Sequence, residues 1–572
     1  MYEAPRTMAR AERRGHPVVR RWLGAGMLLT LLASSTAAQK QSTPPVRSAS
    51  ASPVTLLIDP RLLLEATEVW TTIAAQENPV WPGWNASDTP ILFYLPGQQD
   101  VLINHPKPPD GFVPYDGPVR FPGGRITVRQ GTTILAWDGQ NTSRDVNGVP
   151  TLVVADALSN LRQQIRGLLE DSRSVADKVR DLDFATLATD PYDQLRLIVH
   201  EAFHVFQGRA APDKGANEML LLRYPVLSVE NNVGFALEGA ALAAALRASD
   251  DPVFRSAVLQ WLAVRQDRRA RLPREAVEYE DGVEFSEGLA KYTEYRLLQV
   301  LEGRTPSPEM WWVQGFHGYG DLAALRARLV TDMLRHMHGE VLVNNDPYGT
   351  APLRMRLYYS GMSIGAVLDR LSPTWKDRIL QPGVSLTDLV RTAVSPAESA
   401  LRARLEDARR EAGYAALVDA KTRLATDGRK RVDSMVADIQ GGPGTGIVVA
   451  YGALETPRVG LSFTPFGITS VDEDRTIYAQ VPIKAHFPDG SDITQTEPKP
   501  LLNDRREKLI RFRLPQEVTV GEVARKAGRS GTAEGDMGEL KFALPGVTIS
   551  APNAMLQWRG RDLWIVLKPR QK

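Results

Sequence analysis

Residues 190–208 read DPYDQLRLIVHEAFHVFQG, and this stretch combines the signals of a helix with two histidines and a glutamate. Asp190 followed by Pro191 is typical of a helix start, and Gly208 is typical of a helix end. Apolar residues fill the positions between them at helical spacing. The stretch therefore predicts a largely buried helix. Two histidines and a glutamate inside such a helix need partners, because burying unpaired polar groups costs several kcal/mol.

His200, Glu201 and His204 form an HExxH motif within the predicted helix. Positions i and i+4 of an α-helix lie on one face, so both imidazoles can bind a single zinc ion. Glu201 follows the first histidine, where its carboxylate can reach the attacking water and serve as general base instead of binding the metal. In the alternative interpretation, the two histidines are hydrogen-bonded in the core and bind no metal.

A catalytic zinc site needs a third protein ligand, and three glutamates compete for this role. Glu287 begins a predicted amphipathic helix, Glu238 lies among Ala and Leu in a predicted apolar helix, and Glu230 precedes that helix as an exposed or capping residue. On burial alone Glu238 has the stronger claim, since a buried acid is rarely left unpaired. A buried ion pair with Arg196 or Arg223 is the alternative for Glu238, and a favourable position in the helix dipole is the alternative for Glu287.

The motif HEAFHVFQGR followed by EGLAKYTEY resembles the gluzincin metallopeptidases, bacterial collagenases among them, over about residues 195–297. The resemblance implies a zincin-like domain in which both motif histidines and Glu287 bind Zn²⁺ and Glu201 is the general base. Glu238 stays open as the third ligand. If Glu287 is the ligand, Glu238 is a candidate carboxylate for holding an imidazole N–H.

Peptide hydrolysis also needs a donor that stabilises the oxyanion. The candidates are Tyr358, Tyr359 and His317, and we take Tyr359 as the catalytic hydroxyl. The tyrosine pair comes just before a predicted helix over residues 362–371, a position suited to presenting a hydroxyl group. An ordinary packed aromatic pair is the alternative.

The order of predicted elements indicates an α+β fold with five segments. Residues 1–38 are predicted to be a signal peptide, with a basic start, an apolar run and a small-residue exit, and residues 39–53 a Ser/Pro-rich linker. Residues 54–154 are predicted to form a mixed β-rich lobe, residues 155–440 a helical metallopeptidase domain, and residues 441–572 a β-sandwich-like domain. The signal peptide predicts export to a periplasmic or extracellular space.

Composition excludes several classes of protein. The chain has 572 residues, 43% of them hydrophobic and 24% charged, as in soluble globular proteins. It has no cysteine, so any metal must be bound by His, Asp or Glu. The net charge is +2, but residues 1–38 carry +4 (six arginines and two glutamates) and the remaining residues carry −2 (2 − 4), which leaves no electrostatic case for nucleic acid. No apolar stretch after the signal is long enough to span a membrane. The basic run RQDRRARLPR, residues 265–274, is interpreted as a solvated helix face and loop.

The leading prediction is an exported zinc metallopeptidase that acts on a peptide or protein substrate. Two alternatives remain open. One is a non-catalytic periplasmic or surface binding protein that keeps the zincin scaffold. The other is a zinc hydrolase that acts on cell-wall crosslinks.

Overall fold

The structure is a computed structural model that describes most of the chain after residue 53. The described residues are 54–122, 124–135, 141–156, 190–343, 349–462, 467–479, 482–519, 523 and 535–569. They all belong to one compact unit, and none of the helices found within them is both long and apolar enough to cross a membrane. The predicted signal peptide, the linker and residues 157–189 of the predicted helical domain lie outside the described residues.

The N-terminal part combines one helix with a six-stranded mixed sheet. Helix α1 (Pro60–Ile73) begins after Asp59, whose side chain accepts a hydrogen bond from the backbone N–H of Arg61. The strands are β1 (Ile91–Leu95), β2 (Gln99–Ile103), β3 (Val113–Pro114), β4 (Ile126–Gln130), β5 (Thr142–Val146) and β6 (Val149–Ala155), in the order β3-β4-β2-β1-β6-β5. Strands β1 and β6 are parallel, and the other neighbours are antiparallel.

The middle of the chain is helical. Its α-helices are α2 (Pro191–Ala210), α3 (Val229–Arg247), α4 (Asp251–Arg269), α5 (Arg274–Val283), α6 (Leu289–Leu301), α7 (Leu322–Met337), α8 (Thr350–Leu371), α9 (Trp375–Ile379), α10 (Leu386–Val394), α11 (Glu398–Arg410) and α12 (Tyr414–Gly441). Two shorter elements matter for the site, a 3₁₀-helix (Glu218–Arg223) and a π-helical turn (Glu284–Gly288) that joins α5 to α6.

Helix α2 carries the HExxH motif and starts as predicted, with the Asp190 side chain accepting from the backbone N–H of Tyr192. The helix continues past Gly208 to Ala210, because the N–H of Ala211 still donates to the carbonyl of Gln207. Its apolar side chains are fully buried at Leu195, Ile198, Val199, Ala202 and Phe203. The rings of Trp81 and Trp84 pack on Phe203, with centroids 4.8 and 5.3 Å away, and so fix the N-terminal part against this helix.

The C-terminal strands are joined by hydrogen bonds into a single curled sheet of eleven strands. They are β7 (Thr445–Ala450), β8 (Gly460–Leu461), β9 (Ile468–Ser470), β10 (Arg475–Tyr478), β11 (Lys484–His486), β12 (Asp492–Gln495), β13 (Leu501–Asp504), β14 (Leu509–Leu514), β15 (Gly535–Leu544), β16 (Val547–Arg559) and β17 (Asp562–Leu567). The parallel pairing of β17 with β7 joins the two groups of strands into this one sheet. Val432 and Ile439 of α12 pack on this sheet.

The described chain is therefore a mixed α+β fold with a helical region between two sheets in sequence. Helices α2, α6 and α8 and the π-helical turn pack together within that region. These elements carry the candidate site.

Candidate metal centre

Three side chains from two parts of the helical region converge on one point. They are His200 and His204 of α2 and Glu287 of the π-helical turn, and one ligand atom from each lies within 4.8 Å of the others. The Oε2 atom of Glu287 is 3.5 Å from Nε2 of His200 and 3.4 Å from Nε2 of His204. This is the group of His, Asp and Glu residues in the described chain that could hold a metal ion.

The two distances from Oε2 of Glu287 to the histidine nitrogens fit a tetrahedral ion. Nitrogen and oxygen ligands bind zinc at about 2.0–2.1 Å, and two ligands at a tetrahedral angle are then about 3.3–3.4 Å apart. The observed distances of 3.4 and 3.5 Å match this separation. They exceed the usual length of a hydrogen bond between nitrogen and oxygen, about 2.7–3.2 Å. The residues present therefore fit a small divalent cation.

Each imidazole also makes a hydrogen bond through Nδ1, the ring nitrogen that faces away from the site. The Nδ1 atom of His200 is 2.8 Å from Oε1 of Glu294, and Nδ1 of His204 is 3.0 Å from Oε1 of Gln207. Both partners are acceptors, so each Nδ1 carries a proton and Nε2 is the nitrogen that faces the site, where a metal would take the place of any Nε2 proton. A metal ligand needs this tautomer, and such partners orient metal-binding histidines in general.

Glu287, the predicted third ligand, sits on an irregular turn between two helices. The N–H of Leu289 bonds to the carbonyl of Glu284, five residues earlier, which widens the helix to a π-turn at Glu284–Gly288. Gly288 packs directly against Gly361 of α8, where a Cβ atom would lie 2.7 Å from the Gly361 Cα. Single π-turns inside helices are frequent at functional sites. Here the turn and the glycine contact bring α8 close to the ligands.

Arg354 of α8 pairs with the remaining oxygen of the third ligand. Its Nη2 lies 2.7 Å from Oε1 of Glu287. The same guanidinium also pairs with Glu218 of the 3₁₀-helix. Since Arg354 holds Oε1, Oε2 is the oxygen that faces the two histidines.

Glu201 is next to the ligands but outside their group. Burial raises the pKa of its carboxyl, while the charges of His204 and His200 act in the opposite direction. Among the described residues, the Glu201 carboxylate has no hydrogen-bond partner. A carboxylate beside the ligands and outside their coordination is free to exchange a proton.

The pKa values of His200, Glu287 and Glu294 are all shifted in the direction that favours their charged forms. Burial by itself lowers the pKa of His200, but its contacts with Glu287 and Glu294 outweigh burial and raise the pKa to about 10. Burial by itself raises the pKa of Glu294, yet Lys291 and His200 outweigh it and lower the pKa to about 2. The neighbouring histidines likewise hold the pKa of Glu287 well below its usual range, against the effect of burial. A cation at this point thus meets carboxylates that are already charged.

The structure places Glu238, the rival third ligand, in a different cluster. Its Oε2 accepts from Nη1 of Arg265 at 2.9 Å and its Oε1 from Nε of Arg268 at 2.5 Å. Both oxygens are therefore used, and the histidine N–H that Glu238 was a candidate to hold is held by Glu294. A buried ion pair was the alternative for Glu238, but its partners are not Arg196 or Arg223.

The basic run at residues 265–274 is partly buried, which corrects its interpretation as a solvated face. Arg265 is 0% exposed and Arg268 is 3% exposed. Arg265 also pairs with Glu284 of the π-turn, and Arg268 pairs with Glu280. Burying these arginines is possible because each faces two carboxylates. Glu230 is exposed, as one of its two interpretations required, but it lies inside the first turn of α3 and the capping residue is Ser228, which donates to Glu230.

The tyrosine pair lies inside α8 and not before a helix, because the helix begins at Thr350. The Tyr358 ring lies nearly parallel to the His200 ring, with centroids 6.0 Å apart, and burial together with the nearby Glu287 charge raises the pKa of its hydroxyl. Tyr359 stacks on His336 instead, with centroids 4.8 Å apart. His317 contacts Tyr192, two helical turns before His200. Of the three predicted donors, Tyr358 is the one brought to the ligands.

The sequence interpretation missed three residues of the site: Glu294, Gln207 and Arg354. Glu294 lies seven residues after Glu287 and Gln207 three residues after His204, so helical spacing could have indicated both. Arg354 has no such signal, because only the packing of α8 brings it to Glu287. Searches against protein-family models, curated proteins and solved structures gave no match to this chain.

Proposed function

We propose that this protein is an exported zinc-dependent metallopeptidase. The observation that carries the proposal is the convergence of His200, His204 and Glu287 beside the uncoordinated Glu201. Two histidines and one carboxylate are a donor set that zinc accepts, and a tetrahedral ion held by three protein ligands keeps one position for water or substrate. A structural zinc site would instead use all four positions for protein ligands.

The metal ion and the protein residues would have different roles in the reaction. When bound, zinc would polarise the substrate carbonyl and lower the pKa of the attacking water. Glu201 accepts the proton from that water, because its carboxylate adjoins the ligands and is not coordinated. The protonated Glu201 then passes the proton to the leaving amine nitrogen as the C–N bond breaks. His200 and His204 keep their tautomers through the bonds to Glu294 and Gln207.

A tyrosine hydroxyl completes the proposed mechanism. The carbonyl oxygen gains negative charge during attack, and a donor aimed at it stabilises the transition state. The position of Tyr358 beside His200 and Glu287 supports this residue as the donor. Tyr359, the residue taken from the sequence, is the less favoured candidate because its ring packs on His336.

The proposal extends to the family and to the location of the protein. The HEAFH and EGLAKYTEY segments that resemble gluzincins are the segments that supply the ligand group, which supports a zincin-like layout of the helical region. Export rests on the sequence of residues 1–38 alone.

The experiment is a comparison of the full chain with Glu201→Gln, using zinc content and hydrolysis of casein and of peptide libraries as readouts. We expect about one zinc per chain in both proteins and a loss of peptidase activity of at least ~100-fold in the variant, because the general base is removed. Glu278→Gln, on the exposed face of α5, is the matched control and should keep full activity.

The outcomes separate the three candidate functions. Full activity of Glu201→Gln with zinc bound would overturn the mechanism. Zinc binding without hydrolysis of any peptide would favour the non-catalytic binding protein. Release of cell-wall fragments without cleavage of casein would favour the hydrolase of crosslinks.

A further inference from the structure

Gln207 links the two parts of the chain that supply the ligands. It lies one helical turn after His204 in α2, and its side chain is 5% exposed. Its Oε1 is 3.0 Å from Nδ1 of His204, and its Nε2 donates to the backbone carbonyl of Phe285 at 2.6 Å. Phe285 belongs to the π-turn that carries Glu287. The Gln207 amide therefore contacts His204 through its oxygen and the turn that carries Glu287 through its nitrogen.

The bond to Phe285 replaces a bond that the π-turn removes. In a regular α-helix the N–H of Leu289 would donate to the carbonyl four residues earlier, at Phe285. Here that N–H donates to the carbonyls of Glu284 and Ser286 instead. The carbonyl of Phe285 is thus deprived of its regular donor, and Gln207 supplies one. A buried carbonyl without a donor would cost free energy, so Gln207 stabilises the turn in the form that presents Glu287.

The same bond decides the orientation of the amide. A backbone carbonyl only accepts, so the NH₂ group of Gln207 must face Phe285. The amide oxygen then faces His204 and can only accept, so Nδ1 of His204 must carry the proton. Nε2 is then the His204 nitrogen that is left to bind a metal, and it lies 3.4 Å from Oε2 of Glu287.

We propose that Gln207 is a positioning residue that couples the tautomer of His204 to the π-turn carrying Glu287. Its side chain would thereby orient both His204 and Glu287 for metal binding. The inference deepens the proposed function, because its value to catalysis depends on the metal site. Its effect on metal binding is measured without any activity assay.

The test measures the affinity of the full chain for Zn²⁺ by competition with a chromophoric chelator. We expect Gln207→Met, which removes donor and acceptor at similar volume, to weaken zinc binding by about 10–100-fold. Gln207→Glu keeps an acceptor for His204 but puts a second acceptor against Phe285, and we expect an intermediate loss. Gln194→Met makes the same change on the same helix at a half-buried position away from the ligands, and should bind zinc as the wild type does.

The absorption spectrum of the Co²⁺-loaded chain separates positioning from damage to the fold. We expect the visible bands to change in Gln207→Met and to stay unchanged in Gln194→Met, because only the former alters the ligand geometry. If Gln207→Met does not fold, Gln207→Glu provides the same comparison. Zinc affinity within about twofold of the wild type in both Gln207 variants would overturn this inference alone. A wild-type chain that binds no zinc would overturn the proposed function as well.

Discussion

The Oε1 atom of Glu294 lies 2.8 Å from the Nδ1 atom of His200, and this contact joins the second ligand-bearing segment to the first. Glu294 sits two helical turns beyond Glu287, so the segment that supplies the third ligand also orients the first histidine. Its other oxygen, Oε2, pairs with Lys291 at 2.7 Å. The carboxylate is therefore fixed before any metal binds.

Removing the Glu294 carboxylate should weaken metal binding while leaving all three ligands in place. We expect Glu294→Ala to lower zinc affinity by about 10–100-fold, because the His200 ring loses the acceptor that fixes its tautomer. Glu294→Gln keeps an acceptor and should lose less. Chelator competition measures both. Glu309→Ala, at an exposed position, is the control, and equal affinities in all three variants would contradict the prediction.

Substitution of Glu287 should affect metal binding, whereas substitution of Glu238 should affect stability. We expect Glu287→Gln to abolish tight zinc binding, because the amide replaces the charged ligand. Glu238→Gln should keep zinc but lower the free energy of unfolding by about 3 kcal/mol, because Arg265 and Arg268 lose a buried counter-charge. Elemental mass spectrometry and urea denaturation measure the two effects. Loss of zinc from folded Glu238→Gln would show that Glu238 supports the metal after all.

Tyr358 and Tyr359 should differ in their effect on turnover. We expect Tyr358→Phe to lower kcat by about 100-fold, because a single oxyanion donor contributes roughly 10²–10³ in kcat. Tyr359→Phe should lower kcat by less than about fivefold, since its ring stacks on His336 away from the ligands. Steady-state kinetics on one peptide substrate measures both. The reverse order of effects would restore Tyr359 as the donor.

Glu65 in α1 should make stability depend on pH. Burial raises the pKa of its carboxyl from 4.5 to about 8, against the opposing effect of Arg61. The folded chain therefore keeps a proton that the unfolded chain releases, so stability falls as pH rises from 4.5 towards 8. Glu65→Gln mimics the protonated form and should remove this loss.

We expect Glu65→Gln to equal the wild type in unfolding free energy at pH 4 and to exceed it by about 1–3 kcal/mol at pH 9. Urea denaturation at both pH values measures the difference. Glu77→Gln, at an exposed position near the end of α1, should show no pH-dependent gain. A gain that is equal at pH 4 and pH 9 would rule out the raised pKa as its cause.

The two rival glutamates show why burial alone does not identify a metal ligand. Glu238 and Glu287 each lie in a predicted helix with apolar neighbours, and burial favoured Glu238. In the structure Glu238 is indeed buried, at 0% exposure, but arginines of α4 neutralise it. Burial indicated that this acid needs a partner and could not indicate which partner, because the ion pairs depend on how α3 packs against α4.

Local sequence signals were enough to predict the α+β class, the start of α2 and the placement of His200, Glu201 and His204 on one helix, because capping and the 3.6-residue period act over a few neighbouring residues. The fold was needed to bring Glu287 to the histidines, Glu294 to His200, the Gln207 amide to the carbonyl of Phe285, and Tyr358 to His200. Those contacts join segments about 80 to 160 residues apart, and they depend on the π-turn and on the packing of Gly288 against Gly361.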